Sequence, residues 1–356
     1  MEVVFVTDKS FYEQAVGLMK LAPVKVRVEV IPAGKLRRYH NVSPHRQIFD
    51  VVTMGRNLVD VFKIGRGYFR SLRLIKKYRP DVVFAKGGYV CLPLGYATRR
   101  LKIPLVIHDS DVRPGLTNRL LARFASRIAT GSPLENYPYD KSISRYTGVP
   151  IAEEYRVFSD DERRQFRSEL GIPEQGSLVV VTGGGLGARS INRAVRDDID
   201  ELMKAGLVVY HVCGKNNYEE LKATVKQNDN YFLVPFVYKD MYKLLGAADI
   251  VVSRGSATFL QELAALKKPV VVVPGKHLGD QVKNASMYLE AGAVAVLTDD
   301  EIAQTGILSG VILELVNNSE HAEAMAMNLH SFARPQAAYD TAQLIRQAYE
   351  EARGAQ

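Results

Sequence analysis

Cysteine is nearly absent from this 356-residue chain. Cys91 and Cys213 are its only two, too few for a disulfide framework or a typical zinc site, and each sits in an apolar run that suits a buried thiol in a reducing compartment. No apolar stretch approaches the roughly 18 residues needed to span a bilayer, and no signal-peptide pattern opens the sequence. These absences lead to the expectation of a soluble, cytoplasmic protein. A P-loop Gly-Lys-Ser/Thr and a clean dinucleotide fingerprint are also lacking, as are helix-turn-helix, RNP and metal-finger patterns. What is present, 47% hydrophobic and 24% charged residues, excludes disordered, collagen-like and disulfide-stapled classes. The length suits about two domains.

The formal net charge of +8 is unevenly spread. Residues 1–150 hold 26 Lys and Arg against 11 Asp and Glu, whereas residues 151–356 hold 21 against 28. A basic half joined to an acidic half points to an anionic partner for the first, either nucleic acid or lipid headgroups.

Short β-branched runs alternate with helical patterns, which predicts parallel sheets of βαβ units. The strand candidates are 3–7, 26–31, 81–85, 104–108 and 127–130, then 178–182, 207–212, 231–234, 250–253, 269–273 and 293–297. Helices are expected at 11–21, 57–78, 116–124, 190–205, 257–266, 280–291 and 337–352. The expected architecture is α/β, two Rossmann-like doubly wound domains, 1–150 and 151–335, with a final helix at 336–356 crossing back to the first. A doubly wound sheet normally opens with its central strand, a glycine-rich turn and a helix. No glycine loop accompanies the strand at Val3, so the first domain is expected to lack one strand–loop–helix unit, about 20–30 residues ahead of Met1.

The strongest local signal is the run Gly183, Gly184, Gly185, Leu186, Gly187, Ala188, Arg189, set between a strand and a helix. Glycines let the backbone close on an anion, and the helix N terminus offers free N–H groups to a phosphate. Arg254, Ser256 and Thr258 form a second strand–glycine–helix junction, with Glu262 one turn further on, placed to accept hydrogen bonds from two ribose hydroxyls. Asp280, Gln281 and Asn284 open the helix after a third such loop. Three loops on one sheet edge describe a nucleotide pocket. In the first half, Gly87, Gly88 and Tyr89 follow a strand, which leaves a ligand loop and a packing turn equally open. His108 ends a strand beside Asp111 and is a weak candidate for a general base. Along 57–78, Lys63, Arg66, Arg70, Arg73 and Lys77 step by three and four, a cationic stripe of the kind found at membrane surfaces. This favours an anionic membrane and argues against nucleic acid.

In order and spacing, these elements resemble the MurG-type N-acetylglucosaminyltransferases of peptidoglycan synthesis, two-domain enzymes of the GT-B class. The resemblance runs through Pro80–Val83 with Gly87–Val90, Ile103–His108, Gly115–Asn118, Gly183–Arg189 with Asn192, Asp249–Glu262 and Gln281–Ala285. It implies inverting transfer of GlcNAc from UDP-GlcNAc to a muramyl-pentapeptide lipid on a polyprenyl diphosphate. That reaction would run at the inner face of the cell membrane, without metal or cofactor. It also implies a second domain that holds the donor, with Phe236 packing on uracil and Val237 meeting it through its backbone. Glu262 would bind ribose, residues 183–189 the diphosphate, and Asp280 with Gln281 the sugar. The family's first glycine loop, with its proposed histidine base, has no counterpart here, so the catalytic base is unknown. The family's Glu-Gln-Asn reads Asp109-Ser110-Asp111, which turns an amide contact to the donor into the Asp111 carboxylate. Gly185 replaces a serine, and Ala152 an arginine. The alternatives are an inactive or truncated nucleotide-sugar-binding homologue, a sugar-nucleotide epimerase and an NAD-type oxidoreductase.

Overall fold

The computed structural model describes residues 2–35, 51–184, 187–225 and 228–354, and in the helix beginning at Val51 the side chains from Asn57 onward. The chain forms two compact units, Met1–Thr147 with Tyr339–Gln356, and Gly148–Ala338.

The first unit opens as a βαβ element, β1 (Val3–Thr7), α1 (Tyr12–Met19) and β2 (Val26–Val30), whose strands pair in parallel. After α2 (Val51–Tyr78), β3 (Val83–Ala85), α3 (Cys91–Leu101), β4 (Leu105–Asp109), α4 (Leu116–Leu121), β5 (Arg127–Thr130) and β6 (Ser144–Tyr146) build a second parallel sheet in the order β3-β4-β5-β6. All five residues of β4 are buried, the mark of a strand covered on both faces. Leu105 and Ile107 pack with Val83, Ala85, Leu92 and Leu121 on one side.

In the second unit, α5 (Asp160–Glu169) leads into β7 (Leu178–Thr182), α6 (Arg189–Lys204), β8 (Val208–Val212), α7 (Tyr218–Thr224), β9 (Tyr231–Val234) and α8 (Met241–Ala247). Then follow β10 (Ile250–Ser253), α9 (Ala257–Leu266), β11 (Val270–Val272), α10 (Gly279–Glu290), β12 (Ala295–Val296), α11 (Ile307–Asn317) and α12 (Ser319–His330). The sheet is six-stranded and parallel, in the order β12-β11-β10-β7-β8-β9. Each face carries its own apolar cluster, one around Val180, Leu260 and Leu263, the other around Val179, Ile191 and Ile312. At the amino edge, Asp249 accepts from Arg167 at 2.6 Å and from the Leu178 amide at 2.7 Å, and also pairs with Arg163. This fixes α5 against the start of β7. The last helix, α13 (Ala337–Gly354), places Leu344 and Ala348 on Val106 and Ala129 of the first unit.

Candidate functional site

The carboxyl ends of β7, β8, β10 and β11 lie side by side, and the loops that leave them are tied to one another. After β7, Gly183 has no room for a side chain: an added Cβ would stand 2.2 Å from the Ala188 amide nitrogen. Gly187 has φ +75°, and its Cβ would stand 2.0 Å from the Cys213 carbonyl oxygen after β8. Gly184, at φ +80°, is exposed and open to solvent. Gly185 and Leu186 lie outside the described residues. Ala188 starts α6 without a side-chain cap, and exposed Arg189 stands at that N terminus.

A buried polar relay holds this loop. The Cys213 carbonyl accepts from Asn192 at 2.9 Å and Asn217 at 3.0 Å, while Asn192 Oδ1 meets His211 Nε2 at 2.9 Å. Burial drops the His211 pKa to about 3, so the ring is neutral. Because Asn192 Nδ2 is already spent on Cys213, its Oδ1 must accept, which puts the proton on His211 Nε2 and leaves Nδ1 to accept from Tyr231.

The loops after β10 and β11 are braced in the same way. Arg254 turns inward: its guanidinium donates to the Val273 carbonyl at 2.9 Å, to Asp299 at 2.9 Å and to Ser190 at 2.8 Å. Burial works against the Asp299 charge, and hydrogen bonds from Ser190, the Lys276 backbone and Arg254 outweigh it, holding this carboxyl below its usual range. Asn284 is also buried, its amide 3.1 Å from the Gly255 carbonyl. Both residues, expected to face a ligand, therefore lock loop to loop. Gln281 is half-buried and accepts from the Gly275 amide at 3.1 Å, and Asp280 is exposed beside it. Ser256 and Leu278 begin α9 and α10 without side-chain caps. By contrast, α5 is closed by a Ser159–Glu162 capping box, and Asp198 caps α11 through the Gly306 and Ser309 amides. At α6, α9 and α10 no N-cap side chain takes the N-terminal N–H groups, and the positive end of each helix faces this edge, an arrangement that suits an anion.

Glu262 is half-buried on α9, with half-buried Thr258 one turn before it and apolar Leu260, Leu263 and Ala264 around it. Desolvation lifts its pKa to about 7. Half-buried Phe236 and Val237 follow β9, and Val237 packs against the core. Two residues that the sequence reading passed over complete this corner. Lys215 sits 4.8 Å from the ring of exposed Tyr238 and 5.6 Å from that of Phe236, and the two rings meet edge to face at 4.9 Å. Gly214-Lys215 directly after a strand was the signal available for it.

In the first unit His108 is fully buried, with Ser110 Oγ 3.3 Å from its Nδ1. The ring of this base candidate is thus closed off from solvent in this conformation. Asp111 is half-buried, and its carbonyl accepts from Tyr137 at 2.6 Å. Its neighbour Asp109, not among the sequence candidates, is a buried acid. Burial raises its pKa to about 6 against hydrogen bonds from Tyr139 and Asn118, with Asp111 adding repulsion. Gly87 and Gly88 have φ of +86° and +81°. The Tyr89 hydroxyl is spent on the buried Asp8 carboxylate, which makes Tyr89 a tether between two loops. On α2, Lys63 pairs with Asp60 at 3.4 Å, and Arg70 and Lys77 with Glu29 at 3.6 and 3.1 Å. Arg66 and Arg73 are exposed. Among the described residues, no cluster of three or more His, Cys, Asp or Glu could hold a metal ion.

Comparison with known proteins places this edge in a family. The model of the glycosyltransferase family 28 N-terminal domain matches residues 2–130, and that of its C-terminal domain residues 178–342. A UDP-N-acetylglucosamine–N-acetylmuramyl-(pentapeptide) pyrophosphoryl-undecaprenol N-acetylglucosamine transferase of Clostridium kluyveri is 33% identical over 302 residues, 83% of this chain and 79% of the relative. The chain belongs to the MurG family, within glycosyltransferase family 28. A Clostridium perfringens member of the same name is 32% identical over 302 residues, 84% of this chain and 79% of that one. The crystal structure of Acinetobacter baumannii MurG matches 97% of this chain and 91% of its own, with TM-score 0.70 and 25% identity. A UDP-GlcNAc 2-epimerase from Neisseria meningitidis shares the fold at TM-score 0.61, covering 98% of this chain and 100% of its own, but at 15% identity. Like the rest of the MurG family, the chain is a glycosyltransferase, built of two parallel α/β sheets in the GT-B manner.

Proposed function

We propose that this chain transfers N-acetylglucosamine from UDP-GlcNAc to a muramyl-pentapeptide polyprenyl diphosphate, the step carried in the names of its MurG relatives. One observation supports the donor site most directly: three helix N termini without side-chain caps, those of α6, α9 and α10, share one sheet edge with the half-buried Glu262. Uncapped N–H groups suit a diphosphate, and a carboxylate in apolar surroundings suits a pair of ribose hydroxyls. In this reading Phe236, Val237, Lys215 and Tyr238 receive the uracil, Glu262 the ribose, the loop 183–189 the diphosphate, and Asp280 with Gln281 the sugar. Helix-terminal N–H groups would stabilise the charge that develops on departing UDP as the sugar C1 inverts. Asp109 and Asp111 are the acids proposed to face the reacting sugar from the first unit. The test is thermal: UDP-GlcNAc raises the melting temperature, UMP and NAD far less. No shift at millimolar UDP-GlcNAc would sink the donor assignment.

The lipid acceptor requires contact with a membrane, and α2 is the surface proposed for it. Among the described residues no helix is long and apolar enough to cross a bilayer. However, α2 exposes Leu58, Phe62 and Phe69 at 73, 69 and 63%. At 100° per residue these three share one ridge, and Arg73, Arg66, Lys77, Arg70 and Lys63 follow beside it. Further along the helix Ile75 is buried. A cavity of about 560 Å³ lies alongside, lined by Ile64, Tyr68, Pro93 and Tyr96 and by Arg99, Arg100 and Lys102. An apolar ridge edged with cations suits an anionic bilayer surface. In this reading the chain binds peripherally at the inner face of the membrane through α2.

A further inference from the structure

Arg119 and Arg123 stand about one helical turn apart, the first on α4 and the second on the 3-10 turn Ala122–Phe124 that continues it. Both are exposed. Among the described residues neither guanidinium has a hydrogen bond or an ion pair. Other arginines of the first unit are occupied. Arg127 pairs with Glu351 and Arg145 with Asp340 at 3.7 Å, and Arg99 lies 5.2 Å from the ring centre of Phe124.

The two arginines line a cavity of about 500 Å³ together with Leu116, Leu120, Tyr139 and Asp140, a volume within the range of small-ligand sites. This cavity is tied to the carboxyl edge of the sheet. Tyr139 donates at 2.7 Å to Asp109 Oδ2, at the end of β4, and stacks on Tyr137 with ring centres 5.6 Å apart. Tyr137 in turn donates to the Asp111 carbonyl at 2.6 Å. One side of the cavity is therefore fixed to the loop that the proposed function sets against the reacting sugar.

The charges choose among ligands. Guanidinium groups match the paired oxygens of a carboxylate or a phosphate. Asp140 adds an opposing charge. Ser142 donates to it through its amide at 2.9 Å and its hydroxyl at 2.7 Å, which holds this carboxyl below its usual range. A fixed negative charge beside the arginines repels a doubly charged phosphate or an anionic bilayer more than it repels one carboxylate, and it accepts from N–H groups. Leu116, Leu120 and the Tyr139 ring offer apolar surface to short side chains. Together these are the needs of a peptide carboxyl terminus. A peptide on a muramyl sugar is joined through its amino end, so its carboxyl end is the free one.

We propose that this cavity holds the carboxyl-terminal end of the acceptor's pentapeptide, with its carboxylate on Arg119 and Arg123 and its last side chains against Leu116, Leu120 and Tyr139. The assignment rests on the acceptor reading given above and adds to it a peptide subsite on the first unit.

Calorimetry of the full chain with soluble N-acetylmuramyl-pentapeptide, free of lipid, tests this. The free acid should bind at least about tenfold more tightly than the same peptide ending in a carboxamide. Arg119→Gln together with Arg123→Gln should bring the acid down to the level of the amide. The melting temperature of that double variant, and its shift with UDP-GlcNAc, should stay as in the parent. Inorganic phosphate should not displace the peptide. Equal binding of acid and amide, no binding of the acid at millimolar concentration, or a double variant that binds the acid as the parent does overturns the proposal. So does displacement by phosphate, which would mark a site for any small anion. A double variant that keeps the peptide and loses anionic vesicles also overturns it, and would assign the two arginines to the membrane. Binding is read without turnover. A parent that binds the acid selectively yet transfers no sugar to a lipid-linked acceptor would therefore count against the proposed reaction and leave the peptide subsite standing.

Discussion

Replacing Glu262 with glutamine should make the protein more stable and the donor site worse, with a defined dependence on pH. Desolvation raises the pKa of this carboxyl from 4.5 to about 7, so the folded state holds its proton more tightly than the unfolded state does. The favourable contribution is then complete below about pH 4.5 and is lost as pH rises through 7. The displacement corresponds to at most about 3 kcal/mol, and partial solvent access cuts this to about half. For a unit of this size 1 kcal/mol moves the melting temperature by about 2–4 °C. Glu262→Gln should therefore melt about 3–6 °C higher than the parent at pH 8 and within about 1 °C of it at pH 5. Binding runs the other way. A hydrogen bond to a charged acceptor contributes about 1.5–3 kcal/mol, so the variant should bind UDP-GlcNAc about 10–150-fold more weakly at pH 8. The parent's affinity should fall below pH 7 as the carboxyl takes up a proton. Scanning fluorimetry and titration calorimetry at pH 5, 6 and 8 decide the matter. A variant that melts lower than the parent at pH 8, or binds the donor equally well, would refute the assignment of a desolvated, hydroxyl-binding carboxylate.

Gly187→Ala forces a Cβ onto the Cys213 carbonyl at positive φ. It should lower the urea midpoint by the equivalent of about 2–4 kcal/mol and abolish the UDP-GlcNAc thermal shift; an unperturbed variant would mean the loop rests elsewhere. Arg254→Met removes the brace on Ser190, Val273 and Asp299 and should cost about 2–3 kcal/mol. Asp299→Asn added to it should cost little more, because the two act as one unit, and full additivity in denaturant melts would contradict the network. His211 is held neutral, with its pKa depressed by burial to about 3, so its contribution is present above pH 6.5 and is lost as pH falls through 6.5 toward 3. His211→Leu should flatten the stability slope over that window, and an unchanged slope would assign it to other groups. Reversing Arg66 and Arg73 to Glu should weaken binding to anionic vesicles by at least about 30-fold, from about 1 kcal/mol per charge, and added salt should weaken the parent. Retained binding in a flotation assay would remove α2 from the membrane surface.

Much of the fold is legible along the chain because strands covered on both faces read as unbroken β-branched runs. Leu178–Thr182 and Ile250–Ser253 have the bounds their composition suggests. The three residues of β6, Ser144–Tyr146, carry no such run and gain strand geometry only from pairing with β5. Likewise Pro93 obscures α3, although in the first turn of a helix a proline removes no hydrogen bond. The glycines at the site are legible for a physical reason: Gly183 and Gly187 stand where another backbone passes within reach of a Cβ. Spacing cannot show which way a polar side chain turns. Arg254, Asn284 and Tyr89 lie in the right loops, yet each ends on a partner that only the tertiary fold supplies.

The return of α13 to the first unit bears on the order of synthesis. Its Leu344 and Ala348 complete the cluster on Val106 and Ala129, so the half made first lacks part of its core until α13 has been made. The second unit has all of its own strands well before then, and its ends already touch, with the Gly148 backbone packed on Arg334. During translation the order of completion is inverted. A chain stopped at Ala338 should accordingly keep a protease-resistant second unit and lose the first, and intact resistance in both would show that α13 only decorates a finished sheet.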